Sequence, residues 1–185
     1  MRKRILLLKI GQVDKIILVK LKKNLEWVFK DFQIKVQILP KELDLINSYY
    51  HPKKRKYNAD RIIEGMNEYL LDHDFFRVLG IVNEDIYSGT YNFIFGCADG
   101  IISKIALISV IRLNEIFYSR IKDNSLFEKR ILREAIHELG HTFGLLHCQN
   151  HCVMQFSNSL MEADNKPIKF CKNCLKKLEL YLSKI

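Results

Sequence analysis

Residues 137–147 constrain this chain more than any other stretch of its sequence. They read His-Glu-Leu-Gly-His-Thr-Phe-Gly-Leu-Leu-His, which places His137 and His141 four residues apart. Side chains at this spacing share one face of a helix, so both imidazoles can bind the same metal ion. Gly144 can end that helix in a left-handed conformation, and His147 can then supply a third nitrogen from outside it. Three protein ligands leave a tetrahedral zinc ion one open position, which is typical of a catalytic site.

The residues around these histidines predict a helix that carries a general base. Glu138 follows the first histidine directly, a position that suits a base acting on a water activated by the metal. Upstream, apolar residues recur at spacings of three and four and predict a buried stripe. The stripe consists of Ile131, Leu132, Ala135, Leu139 and Phe143. The sequence Ser125-Leu126-Phe127-Glu128 predicts a capping box at the start of the helix.

The extended motif resembles that of the metzincin metallopeptidases. It has Gly144 and His147 at the offsets of that motif, beyond the shorter His-Glu-x-x-His pattern. Metzincins also carry a methionine in a tight turn beneath the metal, and Met154, seven residues after His147, is the candidate. The resemblance implies a zinc-dependent peptidase in which His137, His141 and His147 bind the catalytic zinc and Glu138 is the general base.

The cysteines make the chain similar to one metzincin family, the archaemetzincins. They occur as His-Cys, Cys-x-Met and Cys-x-x-Cys, at positions Cys148, Cys152, Cys171 and Cys174. This resemblance implies a second, structural Zn2+ held by the four thiols, hence two zinc ions per chain. The loop of three residues after Cys148 and that of sixteen after Met154 are each one residue shorter than in the family pattern. His151 is therefore an alternative ligand in place of Cys148 or Cys152.

Disulfide bonding is the competing interpretation of these cysteines. The sequence argues against it because the pairs have zinc-like spacing and Cys97 would be left over. The N-terminal segment also lacks the features of a secretory signal, since its apolar run covers only residues 5–10. A helix predicted over residues 175–182 favours thiolates at Cys171 and Cys174, which precede it. We interpret Cys97 as a buried spectator and expect a cytoplasmic protein.

Length and composition are those of one compact domain, and the predicted order of strands and helices makes it α/β. The chain has 185 residues, 48% of them hydrophobic, with no run long enough to span a membrane. We expect a metzincin-like fold, a mixed twisted sheet of about five strands with an antiparallel edge strand and an active-site helix. Residues 1–144 would form the upper part, and residues 145–185 a small zinc-stapled C-terminal part with the methionine turn. A net charge of +9 permits contact with acidic surfaces without establishing it.

Hydrophobic patterns predict the elements upstream of the metal motif. Strands are predicted over residues 5–10, 32–39, 75–82 and 101–113, and helices from Asp14 to about Lys30 and from Asn58 to about Leu71. The strand–helix–strand order at the start implies a parallel pair joined by a right-handed crossover. Residues 41–57 are predicted to be a loop whose basic run, residues 53–56, is solvated.

The resemblance also implies an edge strand that pairs with an extended peptide substrate. Residues 92–97 are the candidate, with Asn92, Phe93, Ile94 and Phe95 as substrate-binding residues. An open edge can bind a peptide by strand addition. The alternative function is a zinc-stabilised module that binds nucleic acid or protein with little hydrolysis. We expect the peptidase, acting as a monomer on a peptide or protein and without nucleic acid or membrane. A zincin with a glutamate as third ligand is disfavoured because His147 follows Gly144 so closely.

Overall fold

The computed structural model describes residues 3–185, with only the backbone of Ile102, so Met1 and Arg2 lie outside the description. The strands are β1 (Arg4–Ile10), β2 (Lys35–Ile38), β3 (Tyr50–His51), β4 (Lys56–Asn58), β5 (Arg77–Val82), β6 (Ile86–Tyr87), β7 (Gly96–Ala98) and β8 (Ile105–Ser109). The helices are α1 (Lys15–Val28), α2 (Ala59–Tyr69), α3 (Gly100–Ser103), α4 (Asn124–Thr142), α5 (Leu160–Asn165) and α6 (Lys172–Leu182).

The main sheet has five strands in the order β2-β1-β5-β8-β7. The first four strands pair in parallel, and β7 pairs antiparallel with β8 at the edge of the sheet. The expected mixed sheet with one antiparallel edge strand is therefore confirmed. Because β7 lies next to β8, its other side is available to a further strand.

The sheet has an apolar core on each face. Successive residues of β1 point to opposite faces, so Ile5 and Leu7 join one core while Leu6 and Leu8 join the other. Helices α1 and α4 cover the first face, and α2 covers the second. One side of α4 thus packs on the sheet. This packing sets the position of the polar side of α4 relative to the edge strand.

Two helix starts were predicted well. Asp14 caps α1 by accepting from the backbone N–H of Ile16, and Asn58 caps α2 by accepting from Asp60 and Arg61. The capping box at α4 was wrong. Asp123 is its N-cap, accepting from the N–H of Leu126, and Ser125 lies one residue inside the helix.

Several strand predictions were too long. Phe32 belongs to a short 3-10 helix and Gln33 has a φ of +56°, so β2 begins only at Lys35. The strand predicted over residues 101–113 is β8 alone, because Gly100–Ser103 is helical and Ile111–Leu113 forms a 3-10 turn. Continuous apolar sequence does not distinguish a buried strand from the short buried turns at its ends.

The prediction of a plain loop over residues 41–57 was also wrong. This segment contains a 3-10 turn and two short strands, β3 and β4, which pair with each other. β4 also pairs in parallel with β6, and the result is a small three-stranded sheet. In the basic run, Lys54 lies over the ring of Tyr87 and Lys56 forms an ion pair with Asp85. Part of this run is therefore bound to the protein surface.

The C-terminal part packs against α4, where Met154 contacts Gly140. Arg77 of β5 connects the two parts, since its guanidinium donates to Thr142 Oγ1 at 3.0 Å and to the hydroxyl of Tyr181. It also stacks near the rings of Phe76 and Phe143. Covered by both the sheet and the C-terminal part, α4 is buried almost all round between Arg130 and Gly140, beyond the single stripe that its sequence predicts.

Candidate metal centre and catalytic cleft

The end of α4 turns the chain back so that a third histidine reaches the first two. Gly144 has a φ of +84°, and its N–H donates to the carbonyl of His141 at 2.9 Å. The N–H of Leu145 donates to the carbonyl of Gly140 at 3.0 Å. These two bonds form a Schellman motif, which ends a helix with a left-handed residue. His147 follows three residues after this glycine, as the sequence predicts.

The three histidines form a metal-binding group. His137, His141 and His147 each offer a nitrogen, and these atoms all lie within 4.8 Å of one another. Nδ1 of His137 lies 2.9 Å from the carbonyl of Val153, and Nδ1 of His141 lies 2.7 Å from that of Leu145. Each Nδ1–H donates to its carbonyl, so both Nε2 atoms carry lone pairs.

The Nε2 atoms of His137 and His141 face each other at 3.1 Å. Two lone pairs this close repel unless a cation binds both. Ligands about 2.0–2.1 Å from a tetrahedral zinc are separated by a similar distance. The donor set and its spacing therefore fit zinc.

Burial prepares these histidines for metal binding. It lowers the pKa of His137 to about 2, with a smaller contribution from the charge of Lys166. Burial likewise lowers the pKa values of His141 and His147. All three imidazoles are therefore neutral at physiological pH, and the neutral form is the one that binds a metal.

Glu138 lies between the metal-binding group and the edge strand. Its side chain is 4% exposed, and a Cβ added to Gly96 of β7 would lie 2.7 Å from its Cγ. Glycine at this position therefore lets β7 approach the carboxyl closely. Burial raises the pKa of Glu138 well above its ordinary value, and the charge of Glu134, one helical turn earlier, raises it further.

Met154 packs beneath the metal-binding helix. It is fully buried, and a Cβ added to Gly140 would overlap its sulfur. The preceding residue, Val153, supplies the carbonyl that orients His137. The turn around Met154 thus supports the helix at its glycine and one histidine through a backbone oxygen.

The four cysteines form a second group. The sulfurs of Cys148, Cys152, Cys171 and Cys174 all lie within 4.8 Å of one another, and Cys148 Sγ lies 3.8 Å from Cys171 Sγ. Zinc–sulfur bonds of about 2.3 Å in a tetrahedron give sulfur separations close to this value. All five cysteines of the chain are within the described residues, and none of them forms a disulfide. His151 is exposed and does not join the group.

Backbone N–H groups stabilise negative charge on two of these sulfurs. Cys152 Sγ accepts from the N–H of Cys171 at 3.2 Å and from that of Met154 at 3.5 Å. Cys171 is the N-cap of α6, and the backbone N–H of Cys174 lowers the pKa of its thiol to about 6. A thiolate is the form of cysteine that binds a metal.

A cleft with a volume of about 810 Å³ opens between β7 and α4, above the three histidines. The predicted substrate-binding residues Asn92, Phe93, Ile94 and Phe95 all line it. They precede the edge strand rather than forming it, because β7 covers only Gly96–Ala98. The carbonyl of Phe95 still accepts from Ser109 at 2.8 Å, so the segment enters the sheet directly.

Comparison with known proteins identifies the family. The sequence profile of peptidase family M54 matches residues 3–180. The chain belongs to peptidase family M54. The archaemetzincin of Pyrococcus furiosus is 39% identical to it, over 97% of this chain and 94% of that one. That of Methanocaldococcus jannaschii is 39% identical, over 97% of both chains.

Solved structures of archaemetzincins have the same fold. The enzyme from Methanopyrus kandleri superposes with a TM-score of 0.82 at 31% identity, covering 98% of this chain and 97% of that one. The enzyme from Archaeoglobus fulgidus gives 0.76 at 34% identity, covering 94% and 99%. The resemblance to archaemetzincins is confirmed, and with it the metzincin-like fold and the zinc metallopeptidase. The alternative of a non-hydrolytic binding module is not favoured.

Three polar residues of this M54 cleft were not predicted as site residues. Glu134 and Lys166 line the cleft and are 6% and 4% exposed. Glu134 could have been found, because it lies four residues before Glu138 on the same helical face. Lys166 lies in a segment without periodicity, so the sequence gives no signal for it. Cys97, interpreted as a buried spectator, lines the cleft on β7 and is half-buried.

Membership of a peptidase family implies a peptide or protein substrate. No helix of the described residues is long and apolar enough to cross a membrane.

Proposed function

We propose that this chain hydrolyses peptide bonds in the cleft between β7 and the C-terminal half of α4. His137, His141 and His147 hold the catalytic zinc, and Glu138 is the general base. The observation that carries this proposal is the pair of Nε2 lone pairs at 3.1 Å, with Glu138 on the adjacent face. In this proposal residues 1–185 form a single catalytic domain that contains the site. Residues 145–185 supply the turn at Met154.

Zinc, when bound, acidifies a water molecule and polarises the scissile carbonyl. Glu138 takes the proton of the attacking water on its carboxyl oxygen and later gives it to the leaving amine. Burial raises the pKa of this carboxyl, which makes it a stronger base for the first transfer. Val153 and Leu145 keep the imidazoles of His137 and His141 in one orientation through their carbonyls. The wall formed by β7 excludes water from the far side of Glu138.

A second zinc is proposed for the four cysteines. Their common separation, and the two backbone N–H groups on Cys152, are what a thiolate site requires. The site joins the segment after His147 to the start of α6. Its role is structural, because four protein ligands leave a tetrahedral zinc no open position.

The substrate is proposed to bind as an extra antiparallel strand along the free edge of β7. Residues 92–95 line the same cleft. They extend the substrate-binding surface from β7 towards the aromatic side chains that line the cleft. Strand addition uses backbone N–H and C=O groups of the substrate. N-methylation of alternate substrate residues should therefore slow cleavage strongly at positions that pair with β7 and weakly at the positions between them.

Cleavage of a mixed peptide library, read by mass spectrometry, tests the hydrolytic proposal. Wild type loaded with zinc should cleave, and Glu138→Ala should lose about 10²–10⁴-fold in rate. Zinc content should be unchanged in the variant, because Glu138 is not a ligand. Equal cleavage by both proteins would assign the activity to a contaminant. The archaemetzincin of A. fulgidus is known as a complex with malonate, so inhibition by malonate is a convenient second assay.

A further inference from the structure

The end of the catalytic cleft towards the N-terminus of α4 contains buried polar groups that hydrolysis does not require. Lys166 lines the cleft and is 4% exposed, so most of its side chain is removed from solvent. Among the described residues, only the carboxyl of Glu134 lies within ion-pair distance, at 4.0 Å from Nζ to Oε2. This separation exceeds hydrogen-bond length, and an ammonium has three hydrogens to donate.

Ser157 and Arg133 also have buried hydrogen-bonding groups without hydrogen-bond partners among the described residues. The hydroxyl of Ser157, which lines the same cleft, is buried and has no hydrogen-bond partner among the described residues. Arg133 is 8% exposed, and its Nε and Nη1 also lack a hydrogen-bond partner there, but Nη1 forms an ion pair with Asp164 Oδ1 at 3.5 Å. Its charge is close enough to Lys166 to oppose the protonation of that amine. Buried polar groups are normally paired, so Lys166 Nζ and Ser157 Oγ leave a place for an acceptor in the cleft.

We propose that Lys166 forms a subsite for a carboxylate of the substrate, with Ser157 as a second donor. This inference rests on the proposed function, because it names the substrate class of the same cleft. The carboxylate belongs either to an Asp or Glu side chain or to the C-terminus of the peptide, and both sources have the same chemistry.

Geometry places this subsite beside the scissile bond rather than on it. Glu134, the partner of Lys166, precedes Glu138 by four residues, a rise of about 6 Å along the helix. One residue of an extended peptide advances about 3.3–3.6 Å, and a side chain reaches further. A carboxylate one residue from the scissile bond therefore reaches Lys166, whereas the oxygen of the scissile carbonyl stays at the histidines.

Glu134 does not fill this subsite. Its carboxyl balances the charge of Lys166 in the free protein, but it is too distant to accept a hydrogen bond from Nζ. The cleft is also lined by the exposed side chains of Tyr91, Leu146 and Phe156, and the ring centroid of Phe156 lies 4.9 Å from that of His147. A substrate with an apolar residue beside an acidic residue matches this combination of lining groups.

Peptide pairs that differ only in charge test the subsite. The probes are fluorescent peptides with Glu or Gln on either side of an apolar residue, each made with a C-terminal acid or amide. Wild type should prefer one acidic form about tenfold or more in kcat/KM. Lys166→Met should abolish the preference, Lys166→Arg should keep part of it, and Lys169→Met, an exposed lysine three residues on, should match wild type. In wild type, equal rates for the Glu and Gln peptides, together with equal rates for the C-terminal acid and amide, would overturn the proposal.

Binding to a catalytically inactive background separates this proposal from the hydrolytic one. Zinc-loaded Glu138→Ala should bind the acidic peptide about tenfold more tightly than its amide counterpart, and the double variant with Lys166→Met should bind both equally. If wild type cleaves no peptide, the hydrolytic proposal fails while this measurement still decides the subsite. If Lys166→Met does not fold, as judged by circular dichroism, Ser157→Ala takes its place and should reduce the preference severalfold. An unchanged ratio in Ser157→Ala would then count against the subsite.

Discussion

At the scale of single residues, the site combines groups that burial pushes towards their uncharged forms. His137 and Glu138 are adjacent in sequence, and burial shifts their pKa values in opposite directions, downwards for the imidazole and upwards for the carboxyl. Both shifts favour the chemistry, because a metal needs neutral imidazole and the water needs a strong base. The raised pKa of Glu138 also makes the metal-free protein less stable as pH rises above the ordinary glutamate value, because the unfolded chain then releases its proton more readily than the folded chain.

The metal-free protein should therefore gain stability when Glu138 becomes Gln. A carboxyl with a raised pKa favours the fold at low pH, and wild type loses this contribution as pH rises above the ordinary glutamate value. Glu138→Gln has no titrating carboxyl at this position, so it does not lose stability in this way as pH rises. Its free energy of unfolding should exceed that of wild type by about 1–3 kcal/mol at pH 8, and the difference should shrink towards pH 5. The histidines titrate equally in both proteins and cancel.

Urea denaturation of the two metal-free proteins at pH 5 and pH 8 measures this difference. Glu64→Gln, on the exposed side of α2, is the matched control and should leave stability unchanged at both pH values. A difference between wild type and Glu138→Gln that is the same at both pH values would show that the carboxyl is not perturbed.

Gly140 and Met154 should be energetically coupled. A Cβ at Gly140 overlaps the Met154 sulfur, so Gly140→Ala forces the methionine or the helix to move. We expect Gly140→Ala to cost about 1–3 kcal/mol and Met154→Ala about 2–5 kcal/mol in unfolding free energy. The double variant should cost less than the sum, because the smaller side chain makes room for the new methyl. A double-mutant cycle by denaturation measures the coupling, and strict additivity would contradict the contact.

Single residues also show what the sequence can predict. The three histidines, Glu138 and the four cysteines were found because their roles depend on residue type and spacing, which a sequence states directly. Lys166 was missed because its position in the cleft depends on how an irregular segment folds over α4. The carbonyl of Val153 was missed for a related reason, since every residue has a carbonyl and only tertiary structure selects one.

At the scale of elements, strand and helix cores were predicted better than their ends. Apolar runs predicted β1, β5 and β8, but the strand predicted over residues 101–113 extended into two helical turns. The edge strand was displaced for the same reason. Residues 93–95 are a short apolar run that predicts a strand, yet the sheet pairing that defines β7 begins only at Gly96. There the missing side chain allows contact with Glu138, and this requirement is invisible without the helix in place.

The end of α4 offers a test of how an element positions a ligand. Gly144 and Gly100 both have positive φ, but an added Cβ meets Ile101 Cδ1 at 2.8 Å at Gly144 and nothing within 4 Å at Gly100. Alanine at either position should cost about 1 kcal/mol in stability through backbone strain. Only Gly144→Ala should also weaken zinc binding and peptidase activity, because it shifts the turn that carries His147. Competition with a zinc chelator gives the affinities. Equal zinc affinity in the two variants would mean that the Schellman turn does not position the third ligand.

At the scale of the whole molecule, the two metal-binding groups have different roles: the histidines serve activity and the cysteines serve stability. Two of the three histidines, His137 and His141, lie on α4, which the sheet and Arg77 already hold in place. The cysteine group connects segments of the C-terminal part, whose regular structure is limited to α5 and α6. A small region with little secondary structure gains much of its stability from a metal. Loss of the first group should therefore affect chemistry, and loss of the second should affect the fold.

Metal content and thermal unfolding of three variants separate these roles. Wild type should contain two zinc ions per chain, while His141→Ala and Cys174→Ala should each contain one. His141→Ala should lose activity with a small change in Tm, because α4 remains packed on the sheet. Cys174→Ala should lower Tm by at least about 5 °C and expose residues 145–185 to proteolysis, since about 1 kcal/mol corresponds to roughly 2–4 °C in a domain of this size and a structural zinc contributes more. Cys97→Ala is the matched control, because this cysteine lies outside the group and should leave both zinc ions bound. One zinc ion in wild type, or a Cys174→Ala protein as stable as wild type, would show that the four cysteines do not hold a structural zinc.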